Sequence, residues 1–111
     1  MKILVTGGAG FIGKHLVKYL LDKDNTITIF DNFSNSEEKS LDHFIKNGVK
    51  VVNGDIRNFE EILKETEEQE ILIHLAAKIS VSQSILNPSE TFEVNVDGTK
   101  NVLEACKKNY V

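Results

Sequence analysis

Two kinds of hydrophobic pattern alternate along the chain. Lys2–Thr6 (KILVT), Thr26–Phe30 (TITIF), Val49–Asn53 (VKVVN) and Glu70–Leu75 (EILIHL) are short, β-branched and nearly continuous in apolar character. Strands of a parallel sheet read this way when both of their faces are covered. Between them, apolar residues recur at spacings of three and four, the period of a half-buried helix. Phe11–Lys23 puts Ile12, Leu16, Tyr19 and Leu20 on one predicted face. Glu37–Asn47 does so more weakly with Leu41, Phe44 and Ile45, and the short acidic stretch Phe59–Glu67 carries Phe59, Ile62 and Leu63. The clearest helix runs from Pro88 to Asn109, with Phe92, Val96, Val102, Leu103 and Cys106 at roughly helical spacing. Asn87 suits its cap, Pro88 its first position, and Glu90 stands three past the cap to reach back. Asn58 with Glu61, and Asn35 with Glu38, repeat that signature. The alternation βαβαβαβα predicts a parallel sheet with right-handed crossovers and helices on both faces.

Composition narrows the function classes. A length of 111 residues fits one domain. Lys plus Arg number 13 against 17 Asp plus Glu, a net charge of −4, so the surface has no general attraction for nucleic acid or anionic lipid. No apolar run is long enough to span a bilayer, and Met1-Lys2 leads straight into a strand pattern without a secretory apolar segment. The single cysteine, Cys106, excludes an internal disulfide and a multi-cysteine metal site. The expected compartment, by elimination, is the cytoplasm.

The chemistry concentrates after the first strand, at Thr6-Gly-Gly-Ala-Gly-Phe-Ile-Gly13. Gly7, Gly10 and Gly13 are spaced three apart, and the first helix starts inside the run. Such a loop turns sharply from strand to helix and offers bare backbone N–H groups to a pyrophosphate. The helix N-terminus adds partial positive charge, and Gly13 lets helix and strand approach closely. The second strand ends at Asp31, close to where an acid meets the ribose hydroxyls of an adenosine. That carboxylate also repels a 2′-phosphate, so NAD is favoured over NADP.

With these residues in order, the chain resembles the extended short-chain dehydrogenase/reductases, specifically the NAD-dependent nucleotide-sugar epimerases and dehydratases. The resemblance rests on TGGAGFIG at Thr6–Gly13, DNFSNS at Asp31–Ser36, GDIR at Gly54–Arg57, HLAA at His74–Ala77 and NVDGTKNVLEA at Asn95–Ala105. DNFSNS looks most like the UDP-glucose 4-epimerases. The resemblance implies the first half of a Rossmann-type doubly wound α/β domain, strand order 3-2-1-4, with residues 1–111 its N-terminal part, stopping before a fifth strand. It implies NAD as cofactor, with Gly7, Gly10, Phe11 and Ile12 lining the pyrophosphate through their amides. Asp31 would hold the adenosine ribose, and Asn32, Asn35 and Ser36 would follow its surroundings. Asp55 would accept from the adenine amino group while Ile56 packs on the ring. Leu75, Ala76 and Ala77 would leave room beside the cofactor, and Asn95 would touch the nicotinamide-side ribose. Lys78 departs from the neutral polar residue of many relatives.

The resemblance also implies a catalytic Tyr-x-x-x-Lys and a Ser or Thr on elements following Val111, so this chain alone is expected to lack turnover. Tyr19 and Lys23 match that spacing, but on the first helix, where Tyr19 reads as a core-facing aromatic and Lys23 as a solvated end. The nucleotide-sugar substrate belongs to the full-length enzyme, and a 4,6-dehydratase is an alternative to the epimerase. A different class of reading is a non-catalytic, self-associating module. An unprotected fourth strand and an uncovered last helix would favour a homodimer. His15, His43 and His74 have no ligand spacing, His74 reading as structural, and Cys106 reads as a small core residue.

Overall fold

The computed structural model describes residues 1–111. Its four strands are β1 (Lys2–Thr6), β2 (Thr26–Asp31), β3 (Lys50–Asn53) and β4 (Ile71–His74). They form one parallel sheet in the order β3-β2-β1-β4, the order expected. Leu4 pairs with Thr28 on one side and Leu72 on the other, so β1 lies inside the sheet and its apolar run is buried on both faces.

Each strand's alternating side chains feed two separate cores. Ile3, Val5, Ile27 and Ile29 point to one face and pack with Val17, Leu41, Phe44 and Val49. Leu4 and Phe30 point to the other and pack with Ile56, Ile62, Val94, Val102 and Ala105. The first face is covered by α1 (Phe11–Leu21) and by a 3₁₀ turn (Glu38–Leu41) leading into α2 (Asp42–Lys46). The second is covered by α3 (Phe59–Thr66) and by a long helical rod at the end of the chain. No helix is long and apolar enough to cross a membrane.

The rod matches the expected Pro88–Asn109 but is not uniform. It comprises α5 (Pro88–Phe92), a π-helical turn (Glu93–Gly98) and α6 (Thr99–Asn109), with helical backbone angles at both junctions. The π-turn inserts one extra residue, which shifts the phase of the buried stripe. Val94, Gly98, Val102 and Ala105 are therefore buried, whereas Phe92, Val96 and Leu103 of the predicted stripe are exposed. Asn109 anchors the far end by donating to the Leu63 carbonyl and to Thr66 Oγ1.

α1 keeps half of its expected face inward and is rotated so that the other half is exposed. Gly13, Val17, Leu16 and Leu20 meet the sheet, while Ile12 and Tyr19 are 69% and 61% exposed. The reason is Gly13, where a Cβ would lie 2.5 Å from the Gly7 carbonyl oxygen and 2.7 Å from Gly8 Cα. This contact fixes the helix rotation, and Ile12 and Tyr19 lie about a third of a turn away from it. Lys23 stacks its ammonium 5.5 Å from the Tyr19 ring centre, which makes that pair a surface cation–π contact.

Two of the three caps form as the spacing predicts. Asn58 and Glu61 bond reciprocally at α3, as do Asn87 and Glu90 at α5. Asn35 caps nothing, because the 3₁₀ turn begins after Glu37, whose own side chain makes no cap bond. An unforeseen helix, α4 (Val81–Leu86), is capped by Ser80, which accepts from the Gln83 amide. Its signal is the Ser80-x-x-Gln83 spacing.

Candidate functional site

The carboxyl ends of the strands open into a cleft of about 960 Å³ at the point between β1 and β4 where the order of strand addition reverses. Open parallel sheets bind ligands at this point, because the loops leaving neighbouring strands diverge to opposite faces there. The cleft is lined by Gly7, Gly10, Phe11, Ile12, Asp31, Asn32, Asn35, Ser36, Asp55, Ile56, Leu75, Ala76 and Ala77. Of the expected site residues only Asn95 is outside it.

One wall is the glycine loop. Gly7 has a left-handed φ of +71° and donates to the Phe30 carbonyl at 2.8 Å, which ties the turn to β2. A Cβ on Gly7 would lie 2.6 Å from the Ala76 nitrogen, so the loop after β4 can close on the turn only if residue 7 has no side chain. Gly10 differs, since a Cβ there meets only the Gly7 oxygen, at 3.4 Å. Its constraint is therefore absent from the protein and would come from whatever occupies the cleft. Gly10 precedes α1 without a side-chain cap, so the first N–H groups of that helix have no intrahelical acceptor. Unpaired amides at a helix N-terminus form a binding site for an anion.

Asp31 faces this loop. Its Oδ2 accepts from the Ala9 amide at 3.0 Å and its Oδ1 from the Phe33 amide at 2.9 Å. The carboxylate thus sits across the mouth of the turn with lone pairs still free. Phe33 adopts a left-handed φ of +56°, which bends the segment 32–36 around the cleft. Asn32 reaches Asp55 through Nδ2, and its Oδ1 accepts from the Ser34 amide.

Asp55 is more occupied than its expected role required. Oδ1 accepts from Arg57 N and Nε at 2.9 and 3.0 Å, and Oδ2 accepts from Arg57 Nη2 at 2.7 Å and from Asn32. The Arg57 guanidinium holds its pKa down to about 2, against the smaller opposing effect of burial. With four donors already on it, this carboxylate braces the cleft edge, and any adenine amino group must displace one of them. Arg57 also reaches Glu93 at 3.7 Å, tying the cleft edge to the π-turn.

Asn95 is engaged beside the cleft and not in its lining. Its Oδ1 accepts from Lys78 N at 2.8 Å and its Nδ2 donates to Lys78 O at 2.9 Å. Each half of the amide makes one bond to the Lys78 main chain, so Asn95 fixes the position of a residue that lines the cleft. The Lys78 ammonium lies 3.3 Å from Glu90.

Comparison with known proteins decides the family. The family model described as GDP-mannose 4,6 dehydratase matches residues 4–111. The chain is also 36% identical over 121 residues to a UDP-glucose 4-epimerase of Klebsiella pneumoniae, covering all of this chain and 86% of that one. The chain belongs to the NAD-dependent epimerase/dehydratase family. It is 35% identical over 112 residues to the CDP-paratose 2-epimerase of Salmonella typhi, covering 97% of this chain and 33% of that protein. The UDP-glucose 4-epimerase of Thermus thermophilus, solved in complex with NAD, superposes with a TM-score of 0.89 at 36% identity. That match covers all of this chain and 35% of the solved one. The chain spans about a third of the length of several curated relatives that it matches.

Two side chains outside the cleft lining support the wall at residues 75–78. By sequence His74 reads as structural, and Thr99 is given no role of its own within the NVDGTKNVLEA motif. They meet at the carboxyl end of β4, where His74 Nε2 lies 3.0 Å from Thr99 Oγ1. Thr6, the last residue of β1, completes the group, its Oγ1 2.6 Å from His74 Nδ1.

Proposed function

We propose that residues 1–111 form the adenosine and diphosphate half of an NAD site in a nucleotide-sugar epimerase of the UDP-glucose 4-epimerase kind. The observation that carries this reading is Asp31, fixed by the Ala9 and Phe33 amides at the mouth of the glycine loop. The diphosphate rests on the unpaired amides of Phe11 and Ile12, and the adenosine ribose hydroxyls donate to Asp31. NAD, when bound, supplies the transient oxidation of the sugar. This chain's own residues bind and orient it, and Leu75, Ala76 and Ala77 keep that wall of the cleft free of bulk.

The same reading makes the 111-residue chain inactive by itself. Tyr19 and Lys23 have the catalytic spacing, yet they stack on each other at the surface of α1 and do not line the cleft. Calorimetric titration with NAD and with NADP tests the cofactor. NAD is expected to bind more tightly, and Asp31→Asn to narrow the difference. Equal affinity, or no NAD binding by the unsubstituted chain, would overturn it. Turnover of a UDP-hexose by the 111-residue chain would overturn the inactivity.

A second reading, self-association, draws on the exposed apolar residues of the α4–α6 region. Ile85, Leu86 and Leu103 are 74%, 79% and 65% exposed. A homodimer that covers these residues is compatible with NAD binding. Sedimentation of the chain separates the cases, with a monomer at all concentrations counting against the dimer.

A further inference from the structure

The hydroxyl of Thr6 has one hydrogen and two lone pairs. It accepts from Ala76 N at 3.3 Å and from Leu75 N at 3.1 Å, the latter amide being shared with the Thr6 carbonyl at 3.0 Å. With both lone pairs used, its hydrogen points at His74 Nδ1, 2.6 Å away. At the other end, Thr99 Oγ1 lies 2.7 Å from the Asn95 carbonyl, which can only accept, so the Thr99 hydrogen is committed there. Thr99 Oγ1 must then accept from His74 Nε2. Both ends of the chain demand the same imidazole, bare at Nδ1 and protonated at Nε2. The opposite tautomer would crowd a third donor onto Thr6 and strip Thr99 from Asn95.

We propose that His74 is a positioning residue, locked as the Nε2–H tautomer, that couples the ends of β1 and β4 to the π-turn and so sets the cleft wall at residues 75–78. The Thr6 end holds the Leu75 and Ala76 amides, the segment that lies against Gly7 where no Cβ fits. The Thr99 end holds the main chain of Asn95, whose side chain grips Lys78 from the other side. One hydrogen-bonded line thus runs from the first strand to the last helix and grips this wall at two places. The neighbours on both ring nitrogens are neutral hydroxyls, and burial holds the His74 pKa below its ordinary value, in keeping with a neutral ring. The effect on NAD, though not the tautomer, rests on the function proposed above.

Long-range proton–nitrogen correlation spectra of the histidine-labelled chain test the lock, with His74→Gln assigning the signal. A single species with Nδ1 unprotonated and Nε2 protonated is expected. A ring protonated at Nδ1, or one averaging between tautomers, would overturn the proposal. Amide exchange then tests the coupling. Thr99→Val is expected to speed exchange of the Lys78 amide by about tenfold, the loss of one hydrogen bond in the line. Thr99→Ser restores it, and the Leu4 and Ile29 amides do not change in either variant. An unchanged Lys78 amide in Thr99→Val would count against it, as would a failure of Thr99→Ser to restore protection. NAD affinity, weaker in Thr99→Val and recovered in Thr99→Ser, reads the consequence for the site. If the unsubstituted chain binds no NAD, the cofactor reading fails, while the tautomer and exchange results still decide this one.

Discussion

The two walls of the cleft are built by opposite means. The glycine-loop wall is held within the first βαβ unit, by main-chain bonds such as Gly10 N to Gly7 O and by Asp31 on the Ala9 amide. The opposite wall, residues 75–78, is held by side chains from far along the chain, namely Thr6 69 residues back and Asn95 17 residues ahead. A wall made of main chain has little freedom to move but no tolerance for added atoms. One made of side-chain bonds tolerates substitution, yet it can be loosened one bond at a time.

The sharpest way to break this comparison is Gly13→Ala. Its Cβ would be driven into the Gly7 carbonyl at 2.5 Å, and both partners are backbone that cannot swing aside. Overpacking of this kind is expected to lower stability by about 3 kcal/mol or more, read as a fall in the urea midpoint. An unchanged midpoint would mean that α1 does not lean on the loop.

Next in size is the contrast along α6. Val102 is fully enclosed in the second core, so Val102→Ala should lower stability by about 2 kcal/mol. Leu103→Ala, one residue on and largely exposed, should stay within about 0.5 kcal/mol. Similar losses at both positions would show that the exposed face is covered in solution.

Acid acts on the Asp55 edge of the cleft and on the wall at residues 75–78 at different pH. Asp55 has its folded pKa lowered from 3.8 to about 2, so its stabilisation is complete above the unfolded value and is lost as pH falls through that interval. His74 also has a lowered folded pKa, from 6.5, but it is a base, so the unfolded chain takes up the proton first. Stability therefore declines as pH falls below about 6.5, and His74→Gln should remove that decline. A stability profile that is flat from about pH 7 to pH 5 would exclude the neutral, half-buried ring.

The smallest expected change in stability belongs to Gly10→Ala. A Cβ at that position meets only one atom, at ordinary contact distance, so stability should move by no more than about 0.5 kcal/mol. NAD affinity should nonetheless fall, because the methyl group stands where the diphosphate approaches. Loss of stability without loss of affinity would reverse the roles given to Gly10 and Gly13.

Most of the first wall is legible in residue order. Thr6–Gly13 and Asp31 lie within one βαβ unit, where a strand, a turn and a helix in sequence leave few ways to place them. The second wall is legible in its lining residues Leu75, Ala76 and Ala77, but the bonds that hold it are not. Asn95 carries the same amide whether it faces a ribose or a carbonyl, and only the fold sets Lys78 in front of it. Asp55 reads as free by sequence because its clamp, Arg57 with Asn32, depends on how two separate loops meet. Ile12 and Tyr19 read as core residues because period alone does not say which face of α1 turns inward.

The order of hydrophobic runs and glycines by itself determined the four strands, most of the helices and the place of the glycine turn, since periodicity and a missing Cβ act over a few residues, whereas the 3-2-1-4 order came from the family resemblance that the motifs carry. The rotation of α1, the π-turn that rephases the last helix, and the Thr6–His74–Thr99 line were decided only by tertiary structure. Each depends on a contact between residues whose meeting no local pattern encodes, made once the sheet has brought the ends of β1 and β4 together.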